Sequence, residues 1–182
     1  MILSEKIINT SSYAGTIDIL TGVEDFTPQV TYIENTHTYL LGDKELPSVT
    51  SLLDTGEYVN VPEHILEYAR IKGTLVHKEI EEFLKFGSLG FTQEFEEFKR
   101  LYEENQELFN QVAIFDIKTY SSNTKEKKEK CYNQTCMYGK GVEYLTGVKI
   151  NKHYEIWLPH NKSGRIIDLD KEFENENNWF IK

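Results

Sequence analysis

Apolar and polar positions alternate with period two near the start of the chain and change to a helical period in its middle. Residues 2–8, Ile-Leu-Ser-Glu-Lys-Ile-Ile, predict a strand, Asn9-Thr10-Ser11-Ser12 has turn chemistry, and residues 13–20 predict the strand's hairpin partner. Val30 to Ile33 and Thr38 to Leu41 predict a second hairpin around Glu34-Asn35-Thr36. Gly42-Asp43-Lys44 then turns into Leu46-Pro47-Ser48, with Ser48 placed to cap a short helix reaching Leu53, and Asp54 to Val61 reads as loop. From Pro62 the period is helical: Ile65, Leu66 and Ala69 share a stripe, Gly73 interrupts it, and Val76, Ile80, Phe83 and Leu84 resume it. Phe91 to Asn110 predicts another amphipathic helix, whose aromatic stripe of Phe95, Phe98, Tyr102 and Phe109 reads as core.

The stretch Ala113-Ile114-Phe115-Asp116-Ile117-Lys118-Thr119-Tyr120 predicts a short buried strand. Asp116 and Lys118 are two apart, so on a strand both side chains leave the same face. A helix from about Glu129 to Tyr144 follows, with Gly147 just past its end. Residues 150–158 alternate as a strand, Arg165 to Leu169 predicts an edge strand, and the last dozen residues form a polar tail with a Trp-Phe anchor.

Composition narrows the class. A chain of 182 residues suits one domain with a real core, and 39% hydrophobic residues make it globular rather than disordered. No apolar run has the length of a membrane span, and residues 1–20 lack a basic n-region and a long apolar h-region, so a cytoplasmic protein without membrane contact is expected. Cys131 and Cys136 are spaced for no zinc or cluster motif and read as buried or idle thiols. The net charge of −10 argues against broad non-specific affinity for nucleic acid. An acidic protein can still act on DNA where a local basic strip and bound cations offset its field.

Several groups then stand out, each with a plain and a sharper reading. Asp116 and Lys118 are either an ion pair at a sheet edge or a metal ligand beside a cation that handles a phosphate or a water. Glu97-Phe98-Lys99 and Glu126-Lys127-Lys128 have similar spacing but sit in charged, helix-like sequence. Asp18, between Ile17 and Ile19, needs an ion partner or a metal if it is buried. His77 and Glu81 lie one helical turn apart, as a surface pair, a His over the core edge, or two ligands. The run Lys125 to Lys130 is either a solvated helix start or a local basic patch, and Gln134 and Tyr138 share one face of the helix after it.

Four of these stretches together resemble the PD-(D/E)XK nuclease superfamily, in its RecB-like and phage-type exonuclease branch. They are Gly73-Thr74-Leu75-Val76-His77 with Glu81, Tyr13-Ala14-Gly15-Thr16-Ile17-Asp18, Phe115-Asp116-Ile117-Lys118-Thr119, and Gln134 with Tyr138. The hairpin Val30 to Leu41 followed by Leu46-Pro47-Ser48-Val49-Thr50 resembles the usual lead-in, and the likeness spans most of residues 1–158. It implies an α/β (α+β) fold, a restriction-endonuclease-like central mixed sheet flanked by helices. It implies a DNA nuclease of phage or mobile-element origin, an exonuclease that uses Mg²⁺ or Mn²⁺. Asp18, Asp116, the Ile117 carbonyl, His77 and Glu81 would hold the ion, with Glu5 in an outer shell. Lys118 would orient or help deprotonate the attacking water and touch the scissile phosphate, while Gln134 and Tyr138 would position the DNA strand or support Lys118.

The chain departs from the family in order. There the helix with His comes first, then the hairpin with the first Asp, then the Asp-x-Lys strand; here the hairpin block, residues 1–25, leads. Residues 30–112 then carry the second hairpin and helices, and 113–182 the Asp-x-Lys strand, the Gln helix and the last strands, all in one domain, 1–182. The strand order is thus rearranged in sequence, which raises contact order, and it also allows a swapped dimer whose hairpin completes a neighbour's sheet. Asp18 is expected beside Asp116. The iron–sulfur exonucleases of CRISPR systems need four ligating cysteines, and this chain has two. Two other classes compete with the nuclease: a catalytically inactive nuclease-fold module binding nucleic acid or a protein partner, and an acidic mimic that inhibits a DNA-handling enzyme.

Overall fold

A computed structural model describes residues 8–9, 30–33, 38–53 and 61–174 of the chain. Glu5, Asp18 and the turn at Glu34-Asn35-Thr36 lie outside the described residues, as do the 13–20 strand and the Trp179-Phe180 anchor. The chain divides into two compact units, Ser12–Glu57 and the segments Met1–Ser11 with Tyr58–Lys182. The architecture is mixed α+β. In chain order, β1 (Ile8–Asn9) belongs to the larger unit, and β2 (Val30–Ile33), β3 (Thr38–Leu41), β4 (Lys44–Leu46) and α1 (Val49–Leu52) to the smaller.

In the smaller unit the expected hairpin forms, with Val30 opposite Leu41 and Ile33 opposite Thr38 in an antiparallel pair. A third strand, β4, was read as turn. Its residues Lys44-Glu45-Leu46 have no apolar alternation, and it exists because Gly42-Asp43 makes a two-residue reversal that sets Leu41 opposite Lys44. Gly42 takes φ 60°, a left-handed value that glycine adopts without a Cβ penalty. Ser48 caps α1 as expected, its hydroxyl accepting from the Ser51 amide at 3.0 Å.

The larger unit continues with α2 (Glu63–Phe86), α3 (Gln93–Glu104), α4 (Gln106–Phe109), β5 (Ile114–Lys118), α5 (Lys125–Thr146), β6 (His153–Trp157), β7 (Arg165–Asp168) and α6 (Leu169–Glu172). Its sheet runs β1-β5-β6-β7; β1, β5 and β6 are parallel and β7 is the antiparallel edge. The strand pair β5–β6 is joined through α5, the connection that parallel neighbours require. One sheet face packs its Phe115, Ile117, Tyr154 and Ile156 against Val76 and Ile80 of α2 and Phe95, Phe98 and Leu101 of α3. The aromatic stripe of the α3–α4 region is core, with Phe109 stacked on Phe115 at 4.8 Å and Phe115 on Tyr154 at 5.1 Å. A smaller cluster, Cys131, Tyr132, Cys136, Leu169 and Phe173, joins α5 to α6. Both cysteines are buried and free.

Three predicted helices differ from expectation. Gly73 does not interrupt α2: a mid-helix glycine costs about 1 kcal/mol, less than burying one of Val76 or Ile80 returns at about 1.5–3 kcal/mol each. The Ile65–Leu66 stripe of its first half remains about half exposed. The stretch predicted as one helix to Asn110 breaks at Asn105, whose side-chain amide donates to the Leu101 carbonyl at 2.8 Å and competes with the helical ladder. Helix α5 starts earlier than predicted, because the Thr124 hydroxyl caps it by accepting from the Lys127 amide. Gly147 ends it as expected. Buried Glu79 ties α2 to the start of α3, accepting from the Phe91 amide at 2.9 Å, the Thr92 amide at 3.3 Å and the Thr92 hydroxyl. Between them a Cβ on Gly90 would come within 2.7 Å of the Phe95 ring and 2.8 Å of the Glu79 carboxyl carbon, so this turn accepts only glycine without displacement. No helix among the described residues is long and apolar enough to cross a membrane.

Candidate active site

The second face of the sheet carries the chemistry. On β5, Asp116 and Lys118 alternate with Phe115 and Ile117, so the strand that builds the core with one set of side chains projects charge with the other. Lys118 Nζ sits 2.9 Å from Asp116 Oδ2 and donates to Gln134 Oε1 at 3.0 Å. Gln134 is on α5, and its Nε2 donates to the Tyr138 hydroxyl at 2.7 Å, one turn along the same helix. Four predicted residues, Asp116, Lys118, Gln134 and Tyr138, therefore form one continuous network. Burial pulls the Lys118 ammonium down, but Asp116, with smaller contributions from Cys131 and Tyr138, outweighs it and the net shift is upward. Lys118 is thus a fixed positive charge at neutral pH, suited to hold an anion or a water rather than to take a proton.

His77, on α2, lies close enough to feel the charges of Asp116 and Lys118. Burial and the Lys118 charge push its imidazole down, to about 4, against the opposing pull of Asp116. Among the described residues its buried Nδ1 has no hydrogen-bond partner, so the site contains a neutral imidazole with an unpaired nitrogen. Glu81, one turn on, is ion-paired with Lys85. Ile117 has its side chain in the apolar core, on the face away from Asp116. Gly73 lies beside the strand's exit: a Cβ there would be 3.6 Å from Thr119 Oγ1. Among the described residues no three His, Cys, Asp or Glu side chains converge as a ready-made metal cage.

Sequence reasoning missed Glu155. It is the in-register partner of Asp116 across the parallel β5–β6 pair, which puts the two carboxylates on one face, and it is fully buried. Its Oε1 accepts from the Tyr120 hydroxyl and from Asn123 Nδ2 at 3.0 Å, while Oε2 is buried with no partner among the described residues. Burial raises the Glu155 carboxyl, Tyr120 and Asn123 partly offset it, and Asp116 adds to the rise. Trp157 Nε1 donates to the Tyr120 carbonyl at 2.8 Å, which fixes the segment that leaves Lys118. Cys131 Sγ lies 3.5 Å from Asp116 Oδ2, and burial, with Asp116 beside it, raises its thiol well above the ordinary range, so it stays protonated. The signal for Glu155 is present in sequence: residues 153–157 follow a helix that follows a buried strand, and a strand in such a parallel unit is covered on both faces.

The lysine run is partly spent on internal ties. Lys127 donates to the Ser122 carbonyl at 3.0 Å and lies 4.7 Å from the Tyr120 ring centre, and Lys128 pairs with Glu172. No family model, no curated protein and no solved structure matches this chain.

Proposed function

We propose that the chain is a metal-dependent DNA nuclease built on a restriction-endonuclease-like sheet, and an exonuclease in its mode of attack. The observation that carries the reading is the Lys118 ammonium, held between the Asp116 carboxylate and Gln134 at the end of a buried strand. An ion pair kept only for stability gains little from burial, whereas phosphodiester hydrolysis needs a fixed cation beside a carboxylate. The donor set suits a divalent cation that takes one or two protein groups and completes its shell with water and phosphate oxygens: Asp116 offers a hard oxygen and His77 a bare, neutral nitrogen. When bound, Mg²⁺ or Mn²⁺ supplies an acidified water and neutralises charge on the phosphate. Lys118, positively charged, holds the water or the scissile phosphate in line. Gln134 keeps the Lys118 side chain aimed, and Tyr138 keeps the amide of Gln134 from turning. Asp18, outside the described residues, remains the resemblance's candidate for a further ligand.

The test is degradation of linear and circular DNA with Mg²⁺ or Mn²⁺ and with EDTA. Loss of linear DNA that needs the cation, and that falls by about a thousandfold in Asp116→Asn and Lys118→Gln, is the expected result. A folded chain that cleaves neither substrate with either cation overturns the nuclease and leaves the inactive binding module in its place.

A further inference from the structure

We propose that Glu155 is a cation ligand, pairing with Asp116 across the β5–β6 ladder to seat one divalent ion between two carboxylates. The inference rests on the cation reading of Asp116 and extends it to a strand that the resemblance leaves without a role. Neighbouring strands are about 4.8 Å apart, and Asp116 and Glu155 are directly opposite in a parallel register, so their side chains leave the same face of the sheet on adjacent strands. Both residues are buried. One oxygen of Glu155 is saturated by Tyr120 and Asn123, and these two donors orient the carboxyl group so that the other oxygen stays bare. A buried acceptor without a donor costs about 1–3 kcal/mol, more when charged, and it persists where a ligand completes it. The charges agree: among the described residues two buried carboxylates face one ammonium, that of Lys118, and a divalent cation removes the excess. Two hard oxygens on adjacent strands favour Mg²⁺ or Mn²⁺ over softer metals.

The experiment is Mn²⁺ binding to the full chain, followed by calorimetry and by the electron paramagnetic resonance of free Mn²⁺. Glu155→Gln keeps the shape of the side chain and removes its charge together with one acceptor oxygen. It is expected to weaken Mn²⁺ by at least about tenfold, as is Asp116→Asn, and the double variant should be at least as weak as the worse single one, because both serve one ion. Should Glu155→Gln fail to fold, Glu155→Asp retains the charge but draws it back by one methylene, with the same expected loss. Unchanged Mn²⁺ affinity in a folded Glu155 variant overturns the inference, as does a wild-type chain that binds no Mn²⁺. DNA cleavage indifferent to Glu155 would remove this inference and leave the nuclease standing. Mn²⁺ held through both carboxylates by a chain that cleaves no DNA would do the reverse.

Discussion

The two faces of one short sheet follow opposite rules. Phe115, Ile117, Tyr154 and Ile156 face α2 and α3 in a continuous apolar layer, while Asp116, Lys118 and Glu155, drawn from the same two strands, face the other way into a polar network. The first face returns free energy on burial, about 25 cal/mol for each Å² of apolar surface. The second spends it, since buried ions lose their hydration and regain it only through close partners. A five-residue strand thus divides its work by parity, and the costly half is where chemistry is to be sought.

Substitutions on the two faces should separate these rules. The largest effect belongs to the apolar face: Phe115→Ala empties the stack between Phe109 and Tyr154 and should cost about 3–5 kcal/mol in urea unfolding. The double change Asp116→Asn with Lys118→Gln removes both charges of the buried pair together and should cost much less than Phe115→Ala, while cleavage collapses. Equal losses of stability from the two would erase the distinction. His77 comes next. Its imidazole stays neutral in the folded chain down to about 4, while the unfolded chain takes up a proton near 6.5. The unfolded state therefore binds more protons in this window, and folding stability falls as pH drops from 6.5 towards 4. The difference of 2.5 pH units corresponds to about 3 kcal/mol. Unfolding at a series of pH values should show this slope in the wild type and its removal in His77→Gln. The smallest effect is Gly73→Ala. The added Cβ meets Thr119 Oγ1 at an ordinary 3.6 Å, so α2 should gain up to about 1 kcal/mol with the site undisturbed. A loss there would mean that α2 cannot carry even a methyl group next to the polar face.

Much of this was legible in the residues, and the failures have physical causes. Strand β5 was readable because Ile114, Phe115 and Ile117 make a short apolar run between Ala113 and Thr119, and the Gln134–Tyr138 pair because helical spacing is rigid. Strand β4 was not, because Lys44-Glu45-Leu46 owes its conformation to the Gly42-Asp43 reversal and to pairing with β3 rather than to a pattern of its own. The break at Asn105 depends on one side chain choosing the local backbone. Glu155 escaped because alternation makes a polar residue in a strand look solvent-facing, and only the presence of α5 over that face turns it inward. The network of Asp116 and Lys118 with Gln134 could be anticipated as shared chemistry, but its distances could not.

The β5–α5–β6 unit occupies residues 114 to 157 without a break, and Asp116, Lys118, Tyr120, Asn123, Gln134, Tyr138 and Glu155 all fall inside it. A gene cut and rejoined anywhere outside that interval transmits these seven side chains as a single inheritance, already in register.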